Sequence, residues 1–190
     1  NTKIKNEKKQ RGYTNITELN YGIGLTLYDQ AKIGIAKDKD AFYSYGVNSV
    51  NGYLFNPRIF IGISLGLERY EYNIKSKFSI YLSSFQLPGN YILPTFIDFR
   101  INFLKKNITP FFIGSFGYSF GTVRGSYGGL YTNPSIGLKL KIASNFAFNF
   151  SIGLKFQEYK YLGYVLDSWL TEKVMKNNYG SLTAKLSVVF

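Results

Sequence analysis

Three carboxylates, Glu18, Glu68 and Asp98, and four cations, Arg100, Lys139, Lys155 and Lys185, stand among small and polar residues in segments with a strand-like rhythm. Two carboxylates held close together can divide acid and base work between them. Here Glu68 and Asp98 are accompanied by an excess of basic residues, and ion pairing accounts for them without a reaction. Ser151 and Lys155 could share one strand face and have the residue types of a serine nucleophile with a lysine base. Ser and Lys recur together on every comparable face, however, so the pair carries almost no specificity. The chain has no histidine and no cysteine. That removes histidine general bases, thiol nucleophiles, disulfides and the usual zinc sites together. No catalytic residue, metal or cofactor is expected. The glycines of "GIG" at 22–24 and "GGL" at 128–130 resemble phosphate-binding turns, but no helix follows either. The net charge is +12, which suits an anionic partner such as lipid phosphate or acidic glycan. Arginine is scarce and the aromatics lie on apolar stripes, so no nucleic-acid partner is expected.

The elements that would hold these charges read as strands with side chains alternating between two faces. Leu19, Tyr21, Ile23, Leu25 and Leu27 oppose Glu18, Asn20, Gly22, Gly24 and Thr26. Ile59, Ile61, Ile63, Leu65 and Leu67 oppose Gly62, Ser64, Gly66 and Glu68. The same rhythm runs through 95–103, 130–142, 146–157 and 182–190, with less regular strands near 42–55 and 110–120, about eight in all. "FNPR", "LKKNIT" and "IASN" read as short turns, while 29–41, 73–93, 121–129 and 158–178 read as longer linkers. Short turns at one end and long loops at the other are the pattern of a membrane barrel.

The apolar stripes contain large residues, Phe146, Phe148, Phe150, Ile152 and Leu154 in succession, which are too bulky to fill an eight-stranded interior on every strand. The opposite faces, of Gly, Ser and single charges, suit a narrow polar lumen. Each stripe covers about 9 to 11 residues, the length a tilted strand needs to cross hydrocarbon. Tyr53, Phe55, Phe103, Phe112, Phe146 and Phe190 at the turn end, and Tyr70, Tyr72, Tyr118 and Tyr161 at the loop end, would form the aromatic girdles. The expected fold is therefore an all-β, eight-stranded antiparallel up-and-down transmembrane barrel over residues 13–190, preceded by a basic tail at 1–12. A soluble ligand-binding barrel is the alternative. In the lumen, Glu18, Glu68, Asp98, Arg100, Lys139, Lys155 and Lys185 need partners, because an unpaired buried ion costs several kcal/mol. Glu18 with Lys185 is the expected pair across the barrel closure, and Asp98 with Arg100 would join Glu68.

"VNGYLFNPRIFIGISLGLE", "LPTFIDFRINFL", "TPFFIGSFGYSFG" and "YTNPSIGLKLKI", together with the terminal Phe190, resemble small eight-stranded outer-membrane barrels. The likeness is to the OmpX and OmpA-transmembrane type and to short barrel proteins of Bacteroidota, and it covers about residues 42–190. The resemblance implies an outer-membrane location, an N-terminal leader, and a final strand whose Phe190 the barrel-assembly machinery reads as a signal; both termini are expected in the periplasm. The resemblance implies no activity.

Two linkers are unusually apolar. Phe78, Ile80, Tyr81 and Phe85 lie in one, and Leu166, Trp169 and Leu170 in the other, where "VLDSWLTEKVM" has near-helical spacing and Asp167 or Ser168 as a cap. These residues form a candidate contact surface for lipopolysaccharide or for a larger outer-membrane complex. The expected function is a non-enzymatic structural or accessory outer-membrane subunit, with a narrow channel through the charged lumen as the alternative.

Overall fold

In the computed structural model the described residues are 11–25, 42–72, 91–122, 126–143, 145–166 and 170–190. They form β1 (Gly12–Leu25), β2 (Phe42–Asn56), β3 (Ile59–Tyr72), β4 (Tyr91–Asn102), β5 (Ile108–Gly121), β6 (Ser126–Ala143), β7 (Phe146–Leu166) and β8 (Leu170–Val189). Each strand is antiparallel to the next, and β1 pairs with β8 to close the barrel. Closure leaves no open sheet edge within the ring of eight strands, and beyond Tyr161 and Gly180 the β7–β8 ladder continues on its own among the described residues.

The ladder climbs ten residues in one circuit. Gly12 faces Leu54, and successive partners run through Phe60, Arg100, Ile113, Ser135, Gly153 and Thr183 back to β1 at Gly22. Eight strands with that stagger tilt by about 40° around a cylinder of roughly 8 Å radius, an interior that side chains can fill.

The faces are inverted relative to a soluble barrel. Leu65, Ile97 and Ile136 are 61, 57 and 61% exposed, whereas Ser64 and Asp98 are fully buried and Ser135 is 3% exposed. Aromatic rings cluster near the turn end, where Phe146 lies 5.7 Å from Phe190 and Tyr53 lies 5.2 Å from Phe55. At the loop end Tyr21 stacks with Tyr43 at 6.4 Å, and Tyr45 and Tyr91 flank Arg69. Tyr70 was expected in this outer girdle, but it is buried and turned inward, because it shares its strand face with Glu68 and Ser64. A polar seam interrupts the apolar belt between β1 and β2. Asn15 and Thr17 of β1 and Ser49 and Asn51 of β2 face outward on paired strands, with Asn15 Nδ2 donating to Asn51 Oδ1 at 2.7 Å.

The lumen is more apolar than glycine and serine faces suggest. Ile16, Val50, Phe60, Ala147 and Val189 pack together toward the turn end. Tyr70 and Ile92 form a second cluster toward the loops, with Tyr179 against it. Phe96 on β4 stacks on Tyr131 on β6 at 4.9 Å, across the inner face of β5.

Two of the expected long linkers are short. β5 and β6 are separated only by 122–125, and β7 and β8 only by 167–169. The helix expected in 165–175 is replaced by a ladder that continues from the barrel through Val165 opposite Thr171 to Leu166 opposite Leu170. Once the two strands pair below, each further residue adds cross-strand bonds, whereas a helix there would have to nucleate anew.

Candidate functional site

The candidate site is the set of ionised side chains that alternation turns into the lumen. Asp98 and Arg100, two apart on β4, share the inward face, so the guanidinium reaches its own strand's carboxylate. Arg100 Nε donates to Asp98 Oδ1 at 2.5 Å, and Nη2 donates to Oδ2 at 3.4 Å. The same Nη2 crosses the lumen to Glu18 Oε1 on β1 at 2.7 Å. Serines on neighbouring strands complete both carboxylates. Ser115 Oγ donates to Asp98 Oδ2, and Ser187 Oγ donates to Glu18 Oε1, each at 3.3 Å. Arg100 also lies 5.8 Å above the Phe60 ring, against the apolar layer.

A second strut lies nearer the loops. Lys155 Nζ on β7 is bonded to Glu68 Oε1 on β3 and donates to Ser44 Oγ on β2 at 2.8 Å. Its ammonium sits 4.7 Å from the centre of the Tyr70 ring. Ser119 Oγ donates to Gln157 Oε1 at 2.7 Å, which joins β5 to β7. All the ionised groups in the two struts are at most 4% exposed. A solvent-exposed pair would contribute little, but breaking either buried pair would leave an uncompensated charge.

The pairing differs from the sequence expectation in two respects. Glu18 is salt-bridged to Arg100 rather than to Lys185. The register explains this, since Glu18 faces Ser187 while Lys185 faces Asn20, one inward step further along. Glu68 is bonded to Lys155 and does not join Asp98 and Arg100. Lys185 is 1% exposed, and its Nζ has no hydrogen-bond partner among the described residues. With Lys185 included, the buried charged groups among the described residues are Glu18, Glu68 and Asp98 against Arg100, Lys155 and Lys185, an even balance. The excess positive charge expected of the lumen lies toward the turn end, in the half-buried Lys139 and Lys141.

Ser44, Ser115 and Tyr131 belong to this packed interior and carried no signal strong enough to single them out in sequence. Ser151 and Lys155 do face the same side, but Lys155 is bonded to Glu68 and Ser44 instead. Ser44 is itself fully buried, which leaves no room for a substrate beside it. Phe78, Ile80, Tyr81, Phe85 and Trp169 of the expected contact surface lie outside the described residues. Leu166 and Leu170 face each other as the last pair of the β7–β8 ladder. Phe190 exchanges backbone hydrogen bonds with Asn15, at 2.9 and 3.2 Å.

A closed eight-stranded antiparallel barrel, apolar outside and polar inside, with its lumen crossed by ion pairs, has the fold of the small outer-membrane barrels. Among solved structures the chain is similar to outer membrane protein AlkL, determined in DMPC lipid bilayers, with 13% identity and a TM-score of 0.60 over 100% of this chain and 95% of that one. It is similar to outer membrane protein OprG from Pseudomonas aeruginosa, with 8% identity and a TM-score of 0.53 over 94% and 96%. It is also similar to Neisserial surface protein A (NspA), with 10% identity and a TM-score of 0.51 over 93% and 95%. No protein-family model and no curated protein matches the sequence.

Proposed function

We propose that this protein is a non-enzymatic structural or accessory subunit of a bacterial outer membrane. Its termini would be periplasmic, and its outer surface would contact lipopolysaccharide or a larger membrane protein. The observation that carries the reading is the pair of buried struts, Arg100 with Glu18 and Asp98, and Lys155 with Glu68. They tie opposite walls together and leave the exterior as the working surface. The outward polar seam of Asn15, Thr17, Ser49 and Asn51 supports an accessory role, since polar side chains in an apolar belt favour a protein neighbour over lipid tails. Extraction in mild detergent at native expression should recover a larger assembly that Asn15→Leu with Asn51→Leu disperses. A lone monomer in every mild detergent would refute the accessory role.

A narrow conduit is the second reading. It is favoured by Lys185 Nζ, Ser151 Oγ and Ser181 Oγ, which are buried without a hydrogen-bond partner among the described residues and form a polar stretch of wall. Planar-bilayer recording separates the two. The plugged barrel gives no current above background, whereas a conduit gives a current that Lys185→Met alters.

A further inference from the structure

The short-turn end of the barrel presents exposed cations at the edge of the apolar belt. Arg58 occupies the turn between β2 and β3, and Lys105 and Lys106 occupy the turn between β4 and β5, all three exposed. Neither turn contains an Asp or Glu. Glu18 and Asp98 are fully buried in the lumen, and Glu68 and Glu71 stand toward the loop end of β3. Hydrogen bonds brace both turns. Asn56 Oδ1 accepts from the backbone N–H groups of Arg58 and Ile59 at 2.8 and 3.0 Å. Thr109 Oγ1 accepts from Leu104 N at 2.9 Å and donates to Leu104 O at 3.0 Å. The turns are also tied to each other, because Asn102 donates through its backbone N to Arg58 O at 2.7 Å and through Nδ2 to Pro57 O at 3.0 Å. Lys141 N donates to Asn107 O at 2.7 Å, which carries the contact on to β6. Arg58, Lys105 and Lys106 therefore stand on one braced stretch of rim. Their apolar neighbours Phe55, Phe103 and Ile108 are 50, 53 and 60% exposed, so the lipid-facing belt reaches the turns.

We propose that this rim binds the anionic headgroups of phospholipids in the leaflet on the side of the short turns. A ligand seated here must place negative charge just outside the hydrocarbon and an apolar body within it. An anionic phospholipid does both, with its phosphate beside Arg58, Lys105 and Lys106 and its acyl chains along Phe55, Phe103 and Ile108. Arginine can donate to two phosphate oxygens at once, and lysine acts as a point charge. Each cation held near an anionic headgroup layer strengthens attachment by about fivefold, and the attraction decays within a Debye length. A free oxyanion would gain from the cations alone, and a zwitterionic lipid brings its own cation to the phosphate. The braced backbone reduces the ordering that binding has to impose. This rim is separate from the polar seam on β1 and β2, so lipid selectivity does not require the accessory role.

The test titrates the full chain in neutral detergent with phosphatidylglycerol or phosphatidylcholine and counts bound lipids by native mass spectrometry. Phosphatidylglycerol should bind at least about tenfold more tightly. Arg58→Gln with Lys105→Gln and Lys106→Gln should weaken its binding by about tenfold or more and leave phosphatidylcholine unchanged. The charge-preserving set Arg58→Lys, Lys105→Arg and Lys106→Arg should keep the preference, which separates loss of charge from loss of fold. Arg69→Gln with Lys160→Gln, at the loop end, should leave it intact. Equal binding of the two lipids would overturn the proposal, as would a preference insensitive to the turn substitutions or one removed by the loop-end pair. Displacement of phosphatidylglycerol by inorganic phosphate at constant ionic strength would assign the cations to a free oxyanion and overturn the lipid headgroup.

Discussion

Replacing Arg100 by Met removes the cation shared by Asp98 and Glu18 and keeps an unbranched side chain of similar length over Phe60. Both carboxylates would then remain buried with only Ser115 and Ser187 donating to them. Removing one partner of a buried pair costs about 3–5 kcal/mol, and here two carboxylates lose one cation. Either carboxylate deletion restores an even count, so the position of the remaining cations makes the rescue specific. Adding Asp98→Leu leaves Glu18 and Glu68 against Lys155 and Lys185, again two and two. That double variant should therefore recover all but about 1–2 kcal/mol, because an apolar replacement of a whole buried pair is close to neutral. Adding Glu18→Leu instead leaves Asp98 without a cation and Lys185 without the carboxylate nearest it in register, so it should recover less. Urea unfolding in lipid vesicles, followed by circular dichroism, gives each difference directly. A loss below about 1 kcal/mol for Arg100→Met, or a double variant no better than the single, would refute the strut as the holder of the two walls.

Depth dependence checks the outer face. Leu65→Lys at mid-strand should cost about 2–4 kcal/mol in vesicles, and Phe55→Lys at the turn end no more than about 1 kcal/mol. Equal costs would mean that no hydrocarbon surrounds the belt. Close backbone approach predicts a contrast on β5. A Cβ at Gly117 would lie 2.1 Å from Thr95 O and 2.5 Å from Phe96 Cα, whereas at Gly114 its nearest neighbour is a Phe112 ring carbon at 3.5 Å. Gly117→Ala should lower stability by about 1–3 kcal/mol and Gly114→Ala should be tolerated, as read by the same unfolding curves. A double-mutant cycle on Glu68→Gln and Lys155→Met should show coupling of about 2–3 kcal/mol, and additive losses would show that the second strut contributes nothing as a pair.

The strands around Leu65, Ile97, Ile136 and Phe150 were legible because their period-two pattern separates large apolar from small polar residues. β2 and β5 were less legible, because the lumen is itself apolar near the turns. Val50 on β2 and Phe111 and Ile113 on β5 are buried inside, so both faces of those strands read as hydrophobic. The inward charges were legible as a set, but their pairing was not. Partners such as Glu18 and Arg100 lie 82 residues apart and meet only through the ten-residue stagger of the ladder, which no single segment encodes. The 165–175 segment misled because apolar residues at helical spacing say nothing about a strand already paired below it. The cavity at the turn end, where Lys139, Arg100 and Phe60 converge from three strands, was invisible in sequence for the same reason as the pairs.

The most direct test of the inverted barrel is paramagnetic relaxation in nanodiscs whose lipid tails carry a nitroxide. The methyl signals of Leu65, Ile97 and Ile136 should be broadened, while those of Val50 and Ile113, which face the lumen, should persist. Broadening of Val50 and Ile113 with Leu65, Ile97 and Ile136 spared would contradict the account.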